Sequence, residues 1–141
     1  MAGIQVISGV KTVISNLRKQ KKALAAGCER GVKLAGMHLL RISQQKVPVD
    51  FGVLKASGFA RATGKGFATQ LNIGYNAFYA LFVHENVEMK LKGQPRKAPS
   101  KGKYWDPQGK GQSKFLEEPA RTEAPTLRKI IRDNTRVRRI R

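Results

Sequence analysis

The side chains able to do chemistry in this 141-residue chain are few and scattered. His38 and His84 are its two histidines, and neither has a second His or Cys at the i, i+4 spacing of a helical metal site. His84 and Glu85 could form an acid–base pair, but adjacent residues on a helix point apart and no third partner is in view. A structural or interface role is favoured for His84. Cys28 falls on a helical apolar stripe, which favours a small buried side chain over a nucleophile.

Two glycine-rich fragments resemble parts of phosphate-binding loops. They are Gly64-Lys65-Gly66 and Gly109-Lys110-Gly111. Neither is complete, because the third Gly or the Gly-Lys-Ser/Thr order is missing. The sequence therefore predicts no catalytic, cofactor-binding or metal site, and a protein that is not an enzyme.

Charge is the strongest signal in the composition. Lys and Arg number 28 against 9 Asp and Glu, a net charge of +19. Such an excess favours polyanions, acidic proteins or membrane surfaces as partners. No stretch approaches ~20 continuous apolar residues, so no membrane-spanning segment is expected. A single cysteine excludes an internal disulfide and favours a reducing compartment.

The N-terminal third predicts one long helix. Apolar residues recur at three- and four-residue steps from Val10 to Ile42, which marks a helix of up to ~37 residues, or ~55 Å. Three glycines, at 27, 31 and 36, predict a kink or short break near Gly27. Residues 11–46 carry nine basic side chains against Glu29 alone, so the exposed face is basic rather than mixed.

A corner follows, which we call the hinge. Pro48 biases Val47 away from the helical region, so the first helix must stop near Lys46. Asp50 is placed to cap a short helix from Phe51 to about Ser57. The hinge comprises Pro48, Asp50, Gly52 and Leu54. By itself it is a helix–turn–helix corner without chemistry.

An antiparallel hairpin and two more helical segments complete the predicted fold. Residues 56–63 and 67–75 predict the strands, and alternation in the second predicts that one face is half-buried. The apolar residues 78–83 predict a short helix packed on the sheet. Residues 118–138 predict the last helix, with Leu127, Ile130 and Ile131 on its buried side. The fold class is therefore α+β, in a single domain over residues 1–141.

Two basic segments are the predicted contact surfaces. The loop 86–114 holds eight Lys or Arg against two acids, and residues 121–141 hold another eight against two, so each carries +6. Tyr104 and Trp105 could stack on bases or anchor the loop, and anchoring or a protein partner is favoured. The predicted partner interface is Lys90, Arg96, Lys97, Tyr104 and Trp105. The predicted DNA-facing residues are Arg132, Arg136, Arg138, Arg139 and Arg141.

Three stretches together resemble a family of tailed-bacteriophage neck proteins, the tail-completion, tail-terminator or minor head–tail joining proteins. Residues 48–57 resemble the signature PVDTG-x-L-x-x-S, with Phe51 in place of Thr. Residues 73–85 resemble V-G-x-x-x-x-Y-A-x-x-V-E, and residues 113–120 resemble P-F-L-x-P-A. The three occur in the family's order. Two departures are Asn86, where the family often has Gly, and the long loop after Glu85.

The resemblance implies a structural virion protein of the phage neck. Such a protein joins the head-side connector to the tail tube as a subunit of a homo-oligomeric ring, expected to be sixfold like the tail. Its implied partners are head-completion or adaptor proteins, tail-tube proteins and the DNA in the lumen, bound without sequence preference and with no membrane involved. Assembly would take place in the bacterial host cytoplasm. The alternative is a small basic nucleic-acid-binding protein, although no zinc-finger spacing, RNP-like strand or clear recognition helix is present.

Overall fold

One helix dominates the computed structural model, which describes residues 8–49, 51–87 and 110–136. Helix α1 (Ser8–Lys46) has 39 residues and is continuous, so it is about 58 Å long. The predicted break near Gly27 is therefore wrong. The predicted end at Lys46 is confirmed, and the Gln112 N–H donates to the Lys46 carbonyl at 3.0 Å.

In the hinge that follows, the short helix begins at a different residue than predicted. Helix α2 (Val53–Ala56) begins two residues later than expected, and its N-cap position is Gly52 rather than Asp50. Gly52 has φ of 84°, a left-handed conformation that glycine adopts without strain. Asp50 itself lies outside the described residues. The reversal turns Leu54 into the core, where it is 4% exposed.

The predicted hairpin is confirmed. Strand β1 (Gly58–Thr63) pairs antiparallel with strand β2 (Gln70–Tyr75), in a register that places Gly58 opposite Tyr75. The connection contains a 3-10 turn at Gly66–Ala68. Phe67 was predicted on the second strand, but it lies in this turn and is exposed.

The C-terminal part is two helices rather than the single predicted one. Helix α3 (Ala80–Glu85) follows the hairpin, and helices α4 (Glu117–Thr122) and α5 (Ala124–Thr135) form the C-terminal pair. Pro125 lies in the first turn of α5. Because its nitrogen has no hydrogen to donate, it starts a helix well but cannot continue one.

The core is small and gathers near the C-terminal end of α1. Val47, Leu54, Ala80 and Phe115 form it, at 9% exposure or less. Phe115 makes edge-to-face contacts with Tyr75 and His84, with ring centroids 5.1 and 4.9 Å apart. The molecule is α+β, as predicted. None of the described helices is long and apolar enough to cross a bilayer.

Candidate assembly surfaces

The C-terminal half of α1 lies between the hairpin and α5. Leu39 and Ala35 are buried there. On one side, a Cβ added to Gly31 would lie 2.9 Å from the Ile131 Cα. On the other, a Cβ added to Gly66 of the hairpin connection would lie 3.1 Å from the Ala25 Cβ. The glycines of α1 are thus points of close helix packing, not helix breaks.

The apolar stripe predicted from the sequence continues along the N-terminal half of α1, beyond the hairpin and α5. We define the N-terminal stripe as Val10, Val13, Ile14 and Leu17, which are 47%, 57%, 43% and 58% exposed. Residues 9–19 are all exposed, so about 16 Å of the helix carries no covered side chain. Burying one aliphatic side chain of this size gains about 1.5–3 kcal/mol. The stripe is therefore a candidate interface.

Cations surround this stripe. The segment 8–22 holds five of them and no acid: Lys11, Arg18, Lys19, Lys21 and Lys22. All five are exposed, and none forms an ion pair with any residue that the structure describes. Projecting cations without internal partners favour an external partner that is less positive than this segment.

A second exposed apolar surface lies on α3. We define the outer face of α3 as Phe78, Leu81 and Phe82, which are 96%, 73% and 66% exposed. The prediction that residues 78–83 pack on the sheet is therefore wrong for these three. Leu81 and Phe82 lie on the side of the helix opposite Ala80 and Val83, which contact the core, and Phe78 lies in the turn just before the helix.

The end of the molecule that carries α3 holds carboxylates paired within the chain. Lys114 pairs with both Glu85 and Glu117, the latter at 3.2 Å, and Lys46 Nζ lies 3.0 Å from Glu118 Oε1. The hydrogen bond from Lys114 lowers the pKa of Glu85 and, reciprocally, raises the pKa of Lys114. Unlike the segment 8–22, this end therefore holds carboxylates beside its cations.

His84 and Glu85 do meet, contrary to the expectation that they point apart. His84 Nδ1 lies 2.8 Å from Glu85 Oε1. The Glu117 N–H donates to His84 Nε2 at 3.4 Å, so Nε2 accepts and Nδ1 carries the proton given to Glu85. With its ring also against Phe115, His84 joins α3 to the start of α4, which is the geometry of a structural clamp.

The remaining candidates for chemistry have local partners or none. His38 Nε2 lies 3.0 Å from Glu123 Oε2, which fastens α1 to the α4–α5 junction. That hydrogen bond, followed by one from Thr126, lowers the pKa of Glu123. Cys28 is half-buried rather than fully buried. Within residues 8–49, 51–87 and 110–136, no three His, Cys, Asp or Glu side chains are grouped closely enough to hold a metal ion.

Most of the predicted contact residues fall outside the described ranges. These are the whole predicted partner interface, Lys90, Arg96, Lys97, Tyr104 and Trp105, and three of the predicted DNA-facing residues, Arg138, Arg139 and Arg141. Their roles stay predictions.

Two predicted DNA-facing residues are described. Arg132 is exposed on α5 and has no ion pair within the described part of the chain. Arg136 follows the end of α5 and pairs with Asp133 at 3.4 Å. Arg132 is thus the better placed of the two for a phosphate.

The sequence contained a signal for both surfaces. A stripe ~55 Å long exceeds what the rest of so short a chain can cover, so part of it had to stay exposed. Similarly, a helix as short as α3 cannot turn every residue of an unbroken apolar run inward. The choice of which residues stay outside depends on tertiary packing, which the stripe does not encode.

Comparison with known proteins finds none that is similar to this chain. No protein-family model matches the chain, and no match was found among curated proteins or among solved structures.

Proposed function

We propose that this protein is a structural subunit of a bacteriophage neck, repeated in a ring around the DNA channel between the head-side connector and the tail tube. The observation that carries the proposal is the N-terminal stripe. A chain that builds a continuous helix and leaves four aliphatic side chains on it exposed has a surface suited to assembly.

The three stretches that resemble neck proteins support the proposal by their position. Leu54 belongs to the first stretch, Ala80 to the second and Phe115 to the third, and Val47 immediately precedes the first. These four side chains form the buried core. The resemblance thus falls on residues that pack together, as expected if it reflects a shared fold rather than chance similarity in separate segments.

The unpaired cations support a position near DNA. The five on the segment 8–22 and Arg132 on α5 are exposed and lack ion pairs within the described ranges. Lys and Arg bind phosphates through charge, without reading sequence. A ring lumen through which DNA of any sequence passes requires that kind of contact.

Disruption of the coding sequence in a phage that carries it tests the proposal. We expect filled heads and separate tails that fail to join, and full recovery when the protein is supplied in trans. An averaged image of labelled wild-type particles should place rotationally repeated copies at the neck. Infectious particles formed without the protein, or copies without rotational symmetry, would contradict the proposal.

A free-standing nucleic-acid-binding protein is the second candidate, because the same unpaired cations favour it. Preference for one DNA sequence separates the two. We expect weak, sequence-independent DNA binding whose logarithmic salt slope becomes shallower by about 1 in Arg132→Gln. Arg121→Gln is the matched control, since Arg121 is already paired with Glu117 at 2.7 Å and should change the slope less. Tight binding to one sequence, with normal head–tail joining in its absence, would favour the second candidate.

A further inference from the structure

We propose that the N-terminal stripe of one copy docks on the outer face of α3 in the next copy. This inference rests on the proposed ring and names the two faces that would form its repeated contact. Rings are built from heterologous interfaces, in which two different patches on each subunit meet. The described part of the chain offers two such unlike patches.

The two faces lie at opposite ends of α1. The stripe ends at Leu17, whereas α3 contacts the core beside Val47. Thirty residues of helix separate these positions, which is about 45 Å. Because the separation is fixed by a continuous helix, one copy cannot fold its own stripe onto its own α3. A neighbouring copy can supply the missing face to each.

Charge favours this pairing over the symmetrical one. Pairing two stripes would bring a segment of five cations against an identical one. The described surface beside α3 holds carboxylates, and those of Glu85 and Glu118 are 51% and 43% exposed. Those carboxylates can exchange their internal cations for incoming ones. On the outer face of α3 the stripe therefore meets exposed carboxylates, which a second stripe does not offer.

The shapes are also compatible. The stripe repeats at i, i+3, i+4 and i+7 on one side of α1, whereas the outer face of α3 joins Leu81 and Phe82 of the helix to Phe78 of the preceding turn. The ridge formed by the stripe can pack between these side chains, as helix ridges pack into grooves. Four side chains against three form a contact smaller than a standard interface of about 800 Å² per partner. A single contact is therefore weak, and closure of a ring, where each copy is held twice, strengthens it.

Complementary variants test the pairing. The stripe variant is Ile14→Gln with Leu17→Gln, and the α3 variant is Leu81→Gln with Phe82→Gln. All four positions are exposed, so both variants should fold, as circular dichroism melts can verify. Met37→Gln is the matched control, because Met37 is 64% exposed on α1 but on the side opposite the stripe.

The readout is sedimentation equilibrium at protein concentrations up to about 1 mM, where contacts as weak as −4 kcal/mol are populated. We expect wild type and the Met37 control to associate, and each variant alone to remain at the 15.6 kDa monomer mass. Mixing the two variants should give a heterodimer of twice that mass and no larger species, since each copy keeps one working face. When the α3 variant is added to isotope-labelled stripe variant, the amide chemical-shift changes measured by NMR should cluster on α3.

The other outcomes overturn the pairing. An α3 variant that dimerises alone would mean that stripes pair with each other. A stripe variant that associates normally but loses binding to anionic vesicles would make the segment a membrane element. Wild type that stays monomeric at about 1 mM, with no amide shifts in the mixture, would also refute the contact. Virion images test the proposed function independently of the contact. If neck rings are seen but the mixed variants form no heterodimer, the contact is refuted and the function is not. If the heterodimer forms but no neck rings are seen, the function is refuted and the contact is not.

Discussion

Replacing Gly27 by alanine tests the close packing of α1 on α5. A Cβ at this position would lie closer than 3.0 Å to the backbone carbonyl oxygen of Asn134. Because the obstacle is backbone, relief requires a shift of α5 itself rather than rotation of a side chain. Gly9 lies on the same helix with nothing within 4 Å of its added Cβ, which makes it the matched control.

Two opposing terms set the magnitude. Alanine in place of glycine inside a helix gains about 0.8–1.0 kcal/mol. Overpacking a well-fitted contact loses typically about 1–3 kcal/mol, and a backbone obstacle belongs at the upper end. We therefore expect Gly27→Ala to lower the free energy of unfolding by about 1–2 kcal/mol. Gly9→Ala should leave it unchanged or raise it by up to about 1 kcal/mol.

Urea unfolding followed by circular dichroism measures both variants. A third variant, Gly36→Ala, refines the test, because its added Cβ meets the Leu71 side chain, which can rotate away. The expected order of stability is Gly9→Ala, then Gly36→Ala, then Gly27→Ala. If Gly27→Ala is as stable as Gly9→Ala, then α1 and α5 do not approach closely and the described packing is wrong.

Three further predictions concern the core and its polar supports. Phe115→Ala should lower the free energy of unfolding by about 3–5 kcal/mol, because the side chain is 1% exposed; an urea titration measures it, and a loss below 1 kcal/mol would contradict the core assignment. Ser43 Oγ and Tyr75 OH lie 2.7 Å apart, so Ser43→Ala and Tyr75→Phe should each lower the free energy of unfolding by about 1–3 kcal/mol. The double variant should lose less than the sum of the two, and strictly additive losses would show that the two hydroxyls are not hydrogen-bonded. The folded-state pKa of Glu123 lies below its ordinary value of 4.5, so the ionised carboxylate stabilises the fold above that pH, and this stabilisation is lost as the pH falls through the folded-state pKa. In Glu123→Gln, the melting temperature should therefore fall less steeply than in wild type below about pH 4.5. A slope equal to that of wild type would refute this prediction.

The apolar spacing in the sequence was sufficient to predict α1, the hairpin and the α+β class. Those elements extend over many residues, so a misread position changes little. The glycines of α1 were misinterpreted, since glycine weakens an isolated helix but also permits close approach. Only the presence of Asn134 opposite Gly27 decides between the two effects, and that neighbour is more than a hundred positions away.

Local rules also failed where two signals competed. Asp50 is a good cap by residue type, yet the left-handed Gly52 sets the start of α2 instead. The C-terminal helix was predicted as one, over residues 118–138, although Pro125 lies within that range. Proline suits the first turn of a helix, so the same residue divides α4 from α5. In both cases the backbone conformation of one residue prevailed over a side-chain pattern.

The division of α1 into a covered and an uncovered half separates folding from assembly in one element. Between Ala25 and Val47, the stripe is held by the hairpin and α5, so a substitution on that part of it lowers the stability of the fold. Between residues 9 and 19, every side chain is exposed, and the helix is supported by its continuity with the covered half. Isolated helices shorter than ~12–15 residues are marginal in water, so this segment opens more easily than the rest of α1. A neighbour that covers the stripe recovers both the apolar burial and the helical order. The exposed stripe and the local instability are thus two consequences of one helix that extends beyond the elements packed on it.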